Sequence, residues 1–94
     1  MNAPNSPDVL VRSVAESIAR RLAGEKRPVR ALRSVAHMVD NDETELAVDD
    51  LVRVIEYFGI PILRSEYDQI VSAATQLNSM DSLTETGIDR FISG

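Results

Sequence analysis

The sequence lacks cysteine and tryptophan, and it has one histidine, two tyrosines and two phenylalanines in 94 residues. Without cysteine the chain forms no disulfide, no thiolate metal site and no cysteine nucleophile. A single histidine leaves an all-oxygen site as the one remaining kind of metal site. No apolar run approaches the roughly 20 residues that span a bilayer, and the first residues lack the basic and apolar segments of a secretion signal. We therefore expect a cytoplasmic protein without metal or other cofactor.

The composition favours a small folded domain. Hydrophobic residues make up 44% of the sequence and charged residues 27%, which is too apolar for a disordered chain. A chain of 94 residues lies near the lower end of the range in which one apolar core suffices. Two prolines among the first seven residues predict a flexible lead over 1–7, followed by a single helical domain over 8–94.

Apolar residues recur at the period of amphipathic helices along most of the chain. Leu10, Val14 and Ile18 follow one another every four residues, and Gly24 is a natural stop after them. The same reasoning predicts further helices over about 29–39, 43–58 and 64–77, and a last short helix ending near 91 or 92. The predicted fold is therefore all-α, a single-domain bundle of four to five short helices.

The segments between these helices also carry local signals. Residues 25–28 are predicted to form a turn, and residues 59–63 an extended, buried apolar connector, because glycine and proline interrupt the helix there. Ser82 and Glu85 have the spacing of a capping box, which predicts that Ser82 begins the last helix. No stretch alternates apolar and polar residues in the manner of a strand.

Charge is distributed unevenly. Residues 1–39 contain seven basic and three acidic side chains, whereas residues 40–94 contain three basic and twelve acidic ones. On a helical wheel of the third predicted helix, acidic side chains fall opposite the apolar stripe, with a tyrosine at the border. Such a face suits a basic protein partner, although acids of this kind also keep small domains soluble. The predicted partner-binding residues are Asp42, Glu45, Asp49, Glu56 and Tyr57.

Two motifs suggest other functions and fail in their details. The acidic segment 40–44 is similar to the start of a calcium loop, but Glu45 replaces the glycine of the sharp turn and Leu51 replaces the bidentate glutamate. The tripeptide 81–83, Asp-Ser-Leu, is the one on which acyl carrier proteins bear phosphopantetheine. It lies too close to the end of the sequence for the helices that follow it in that family, so a capping serine is the preferred interpretation.

Catalysis and nucleic-acid binding are disfavoured for separate reasons. Ser34 lies three residues before His37, but a lone histidine at the edge of a helix is usually structural or solvated, and the sequence offers no complete catalytic set, so we expect no enzyme. A cluster of basic residues could contact the phosphates of a nucleic acid, since such contacts need only positive charge. Because the whole chain is acidic and the cluster lacks aromatic residues, we expect no nucleic-acid partner. Pairing of Arg20 and Arg21 with the acidic helix is the alternative. The cluster comprises Arg20, Arg21, Lys26, Arg27, Arg30 and Arg33.

A family resemblance rests on an acidic helix followed by a Glu-Tyr pair, an aliphatic connector and a further helix. The sequences are Glu-Leu-Ala-Val-Asp-Asp-Leu over 45–51, Glu-Tyr-Phe-Gly-Ile-Pro-Ile over 56–62 and Ser-Glu-Tyr-Asp-Gln-Ile over 65–70. With them the stretch 32–77 resembles the small helical immunity proteins of the MafI type, which bacteria make beside polymorphic toxins. The resemblance implies a stoichiometric inhibitor that masks a toxin domain, often a basic nuclease.

The sequence thus leads to two hypotheses. In the first, the chain is a non-enzymatic immunity protein that occludes a basic toxin through its acidic helix and Tyr57. In the second, it is a structural or regulatory helical module that forms a homodimer through surplus apolar surface at Ile60, Ile62 and Leu63. The expected state is a monomer or a homodimer without membrane contact.

Overall fold

The computed structural model describes residues 6–93, and the predicted all-α class is confirmed. The predicted lead 1–7 lies outside the described residues except for Ser6, which precedes the first helix, and Pro7, which begins it. No helix in this part of the chain has the length and apolarity needed to cross a bilayer. The helices are α1 (Pro7–Arg21), α2 (Lys26–Asp40), α3 (Thr44–Phe58), α4 (Arg64–Gln76) and α5 (Met80–Thr86), followed by a 3-10 helix (Ile88–Phe91).

Helix α2 begins at Lys26, so the predicted turn over 25–28 is wrong. Pro28 lies at the third helical position. The first N–H groups of a helix have no intrahelical partner, so the missing N–H of proline costs nothing there. The proline signal marks the beginning of α2 instead of a break before it.

Helix α5 also begins earlier than predicted, at Met80, so Ser82 lies inside its first turn and does not cap it. The chain reverses at Asn78, which has a φ of 56°, and the N–H of Ser79 donates to the carbonyl of Ala74 at 2.8 Å. Asparagine tolerates this left-handed conformation better than most residues. A left-handed glycine then separates α5 from the 3-10 helix.

The core is built by all five helices. Helix α1 packs against α2 and α4, while α3 packs against α2 on one side and α5 on the other. Each large aliphatic side chain that is removed from water in this way contributes about 1.5–3 kcal/mol before entropy is counted. The fully buried side chains include Val11, Val14, Ile18, Leu32, Val35, Leu51, Ile55 and Ile70.

The connector between α3 and α4 is buried at two of its apolar positions and exposed at the third. Gly59 ends α3 in the left-handed conformation with a φ of 61°. Ile60 and Ile62 are then 3% and 0% exposed, as predicted, whereas Leu63 is 46% exposed. The dimer surface predicted from Ile60, Ile62 and Leu63 is therefore wrong, because two of its three side chains belong to the core of one copy.

The C-terminal segment closes against this connector. The N–H of Ile62 donates to the carbonyl of Phe91 at 3.0 Å, and the N–H of Ser93 donates to the carbonyl of Ile62 at 2.8 Å. These bonds form an isolated parallel bridge between Ile62 and Ile92. Ile88 is completely buried beside them. The tail is thereby an integral part of the bundle.

Candidate binding surface

The outer face of α3 combines apolar and charged side chains. Leu46 is 58% exposed and Tyr57 is 78% exposed, and Glu45 and Arg53 are exposed on the same side of the helix. Leu46 and Tyr57 are eleven residues apart, which places them within about 20° of each other around the helix and about 16 Å apart along it. Glu45, Leu46, Arg53 and Tyr57 are called the outer face of α3 below.

An acidic corner lies at the N-terminal end of this face. Asp42, Glu43 and Glu45 are all exposed, and none of them forms an ion pair within residues 6–93. Asp42 has a φ of 60°, and its backbone turns the chain from α2 into α3. Carboxylates near a helix N-terminus are stabilised by the helix dipole. The predicted residues Asp42 and Glu45 are therefore free to meet a cationic ligand.

Two of the other predicted residues face the C-terminal part of the chain instead. Asp49 is half-buried and accepts a hydrogen bond from the hydroxyl of Ser82 on α5. Glu56 is exposed but pairs with Arg90 at 3.2 Å. Arg90 in turn lies over the ring of Phe91, 4.8 Å from its centroid. Asp49 and Glu56 thus hold α5 and the tail against α3, so the acidic face predicted from the helical wheel is divided.

Leu46 is not among the binding residues predicted from the sequence. Its position on the helical wheel carried a usable signal, since it lies 100° from Glu45 and only about 20° from Tyr57. An apolar residue in that sector is too far round the helix to join the core. Leu46 and Tyr57 together provide apolar contact area at both ends of the outer face of α3.

Arg21 pairs with Glu66 on α4 and not with α3, so its predicted pairing with the acidic helix is wrong. The guanidinium contacts both oxygens of the carboxylate, the second through Nη2 at 2.8 Å, and Nη2 also donates to the carbonyl of Pro61 at 3.1 Å. Glu66 further accepts hydrogen bonds from the hydroxyl of Ser17 at 2.6 Å and from the N–H of Leu63 at 2.9 Å. This cluster joins α1, the connector and α4.

These contacts set the charge states of the pair. Burial disfavours ionisation of Glu66, but the hydrogen bonds from Arg21, Leu63 and Ser17 outweigh it and hold its pKa below the ordinary value. The hydrogen bonds that Arg21 donates to Glu66 raise the pKa of Arg21 against the opposing effect of burial. Both groups therefore remain charged at neutral pH, and the carboxylate has no free oxygen for catalysis.

The lowered pKa of Glu66 predicts a pH-dependent contribution to stability. A carboxyl whose pKa is lower in the folded than in the unfolded chain stabilises the fold above its unfolded pKa, about 4.3, and loses that effect as the pH falls through the folded value. We expect the difference in unfolding free energy between the wild-type protein and Glu66→Gln to shrink as the pH is lowered from 7 to about 3. Urea titrations of both proteins measure it, and a constant difference would contradict the assignment.

The described residues hold no obvious catalytic centre. No group of three or more histidine, aspartate or glutamate side chains is placed to bind a metal ion in this part of the chain. The imidazole of His37 is exposed on α2, and no hydrogen bond within residues 6–93 involves it. The hydroxyl of Ser82, the position suggested by the carrier motif, is engaged by Asp49.

Comparison with known proteins returns no relative: neither a family model, nor a curated protein, nor a solved structure matches this chain. Its function is therefore inferred from the surface residues themselves.

Proposed function

We propose that this protein is a cytoplasmic, non-enzymatic binding protein of the immunity type, which neutralises a cognate basic nuclease toxin by stoichiometric occlusion. The observation that carries the proposal is the exposure of Leu46 and Tyr57 on one face of α3, beside the acidic corner. A folded domain that leaves a tyrosine 78% exposed on a rigid helix keeps a large contact area available for a partner.

Tyr57 is the proposed anchor of the interface. Tyrosine is among the residues that most often dominate binding energy when a partner covers them, because the ring buries a large area at a small cost in side-chain entropy. Its ring packs edge-on against Phe58, with centroids 4.9 Å apart and an interplanar angle of 89°. This contact restricts the ring before binding and so reduces the entropy that association costs.

The acidic corner supplies charge complementarity. A nuclease holds phosphates in a cleft lined by cations, and the carboxylates of Asp42 and Glu45 can occupy such a cleft in place of phosphates. Unpaired surface charges also speed the encounter with an oppositely charged partner. The proposed contact with the toxin therefore includes Asp42 and Glu45 but not Asp49 and Glu56, because the last two already have partners within the chain. Asp49 and Glu56 instead hold α5 and the C-terminal segment against α3.

A binding experiment tests the proposal in two steps. The tagged protein is used to retain a partner at low salt, and the partner is identified, purified and titrated by calorimetry against each variant. We expect a basic toxin domain bound at one-to-one stoichiometry. Tyr57→Ala is expected to weaken binding by about 2 kcal/mol, roughly 30-fold. Glu45→Lys is expected to weaken it strongly and to reduce its salt dependence.

Matched controls use equivalent residues elsewhere. Asp68→Lys changes the net charge as Glu45→Lys does, at an exposed position on α4, and Leu63→Ala is the control for Tyr57→Ala because it also removes an exposed apolar side chain outside α3. Both controls should bind like the wild-type protein. If Tyr57→Ala and Glu45→Lys bind normally while circular dichroism shows intact helices, α3 is not the interface. If the wild-type protein self-associates independently of salt and Tyr57→Ala does not, the result would support the hypothesis of a homodimeric module instead.

A further inference from the structure

A second charged surface lies on α2, on the side that faces solvent. Five basic side chains are exposed there, and none forms an ion pair within residues 6–93. They come from the end of α1 and the first half of α2. This cationic face consists of Arg20, Lys26, Arg27, Arg30 and Arg33.

The structure joins these side chains into one continuous surface. Lys26, Arg27 and Arg30 line one shallow depression, and Lys26, Arg30 and Arg33 line the next. Arg33 then shares a groove between α1 and α2 with Arg20. From Lys26 to Arg33 the helix rises about 10 Å. The cationic face is thus a strip of positive charge along a rigid element.

Three acidic residues lie near this strip, and none of them pairs with it. Glu25 is exposed at the N-cap of α2, beside Lys26, and forms no ion pair within residues 6–93. Glu16 and Asp40 line the far end of the groove between α1 and α2. The carboxylate of Asp40 is already paired with Arg12. Glu16 makes no ion pair in the part of the chain described. The basic residues on the first half of α2 therefore form no ion pair within residues 6–93.

This arrangement costs stability in the free protein. The first turn of α2 contains no acidic residue, and Lys26 and Arg27 lie at the positive end of the helix dipole. Like charges spaced three and four residues apart on a helix, such as Lys26 with Arg30 and Arg30 with Arg33, also repel each other. An anionic ligand across the strip would relieve both effects.

The chemistry of the strip selects among anionic ligands. Of the exposed large hydrophobic residues within residues 6–93, none lies on α2, so the α2 part of the strip has neither an apolar anchor for a protein partner nor a wedge for a lipid surface. Val9, in the first turn of α1, shares a groove with Arg20 but with no cation of α2. It also has no aromatic ring on which the bases of a single strand could stack. Four of its five cations are arginines, whose planar guanidinium groups match phosphate oxygens. Those exposed hydrophobic residues are Val9, Leu46, Tyr57, Leu63 and Met80.

We propose that the cationic face binds the phosphate backbone of duplex DNA without sequence preference. Counterions released from the DNA supply the free energy of such binding, so it requires cations and no stacking. The net charge of −5 does not prevent it, since the domain measures 34 × 24 × 20 Å and charges beyond about 8 Å are screened at physiological salt. The acidic net charge and the missing aromatic residues disfavour binding that depends on base stacking. They do not prevent contact between arginine side chains and the phosphate backbone of a duplex.

Fluorescence anisotropy with a labelled duplex of mixed sequence tests this proposal across a range of salt concentrations. We expect log K to fall with log salt with a slope of about −4.5 if all five cations take part. The variant Arg30→Gln/Arg33→Gln should bind at least tenfold more weakly at low salt, with a slope smaller in magnitude by about 2. A second duplex of unrelated sequence should bind equally well.

The control variant is Arg64→Gln/Arg90→Gln, which carries the same net charge but changes exposed arginines on α4 and on the 3-10 helix. It should bind the duplex like the wild-type protein. Absence of binding at low ionic strength, equal loss in both variants, or tighter binding to the single strand or to anionic vesicles would overturn the proposal. The result is independent of the toxin hypothesis, because the cationic face and the outer face of α3 share no residue.

Discussion

Replacement of Arg21 by alanine is expected to lower the free energy of unfolding at neutral pH by about 3–5 kcal/mol. The reason is the environment of its partner. The side chain of Glu66 is only 4% exposed, so without Arg21 a buried carboxylate keeps only the hydroxyl of Ser17 and the N–H of Leu63 as donors. A buried charge that loses its counter-charge cannot recover the solvation it gave up on folding.

The reciprocal change should cost less. The side chain of Arg21 is 35% exposed, so in Glu66→Ala its guanidinium can be hydrated, and we expect a loss of about 2–3 kcal/mol. Denaturant titrations of both variants at pH 7 measure this asymmetry. Arg64→Ala is the control, because its pair with Asp68 is exposed on both sides and should contribute less than about 0.5 kcal/mol. Equal losses in Arg21→Ala and Glu66→Ala would show that the carboxylate is better solvated than its position indicates.

Replacement of Ile88 by alanine is expected to destabilise the protein by about 2–4 kcal/mol, although only six residues follow it in the sequence. Ile88 is completely buried where the 3-10 helix meets α3. Truncation of a fully buried aliphatic side chain removes its transfer free energy and leaves a cavity that the surrounding backbone fills only in part.

Ile92→Ala is the matched control for this prediction, since it deletes the same atoms from a half-buried side chain in the same segment. It should cost clearly less than Ile88→Ala, because part of the deleted surface is already in contact with water. Denaturant midpoints with unchanged slopes are the measurement. A loss below about 0.5 kcal/mol for Ile88→Ala would mean that the tail is not packed as part of the core.

Local signals account for most of the helices but not for all of their ends. The four-residue spacing of Leu10, Val14 and Ile18 predicts α1, because a helix can bury side chains at that period on one side only. The predicted turn at Pro28 and the predicted helix cap at Ser82 are wrong because these signals do not fix one position. Each has a preference compatible with two positions at the start of a helix, and local sequence does not choose between them.

The candidate binding surface could likewise be predicted from the sequence only in part. The exposure of Glu45 and Tyr57 follows from their angles around one helix, which can be read from the sequence alone, whereas Asp42 lies in the turn before that helix. The roles of Asp49 and Glu56 depend on α5 and the tail, which approach α3 from more than thirty residues further along the chain. No periodicity within α3 contains that information.

By itself, the sequence determined that the protein is an all-α bundle, that α3 has a charged side opposite its apolar stripe, and that the connector at Ile60 and Ile62 is apolar. Only the tertiary structure decided that Arg21 pairs with Glu66 and that the acidic side of α3 is shared with the C-terminal segment. It also decided that the lysine and arginines of α2 form no ion pair within residues 6–93. The physical reason is range. Helix periodicity arises from neighbours within one or two turns, whereas ion pairing depends on which helices pack together, and that is decided by burial of the whole core.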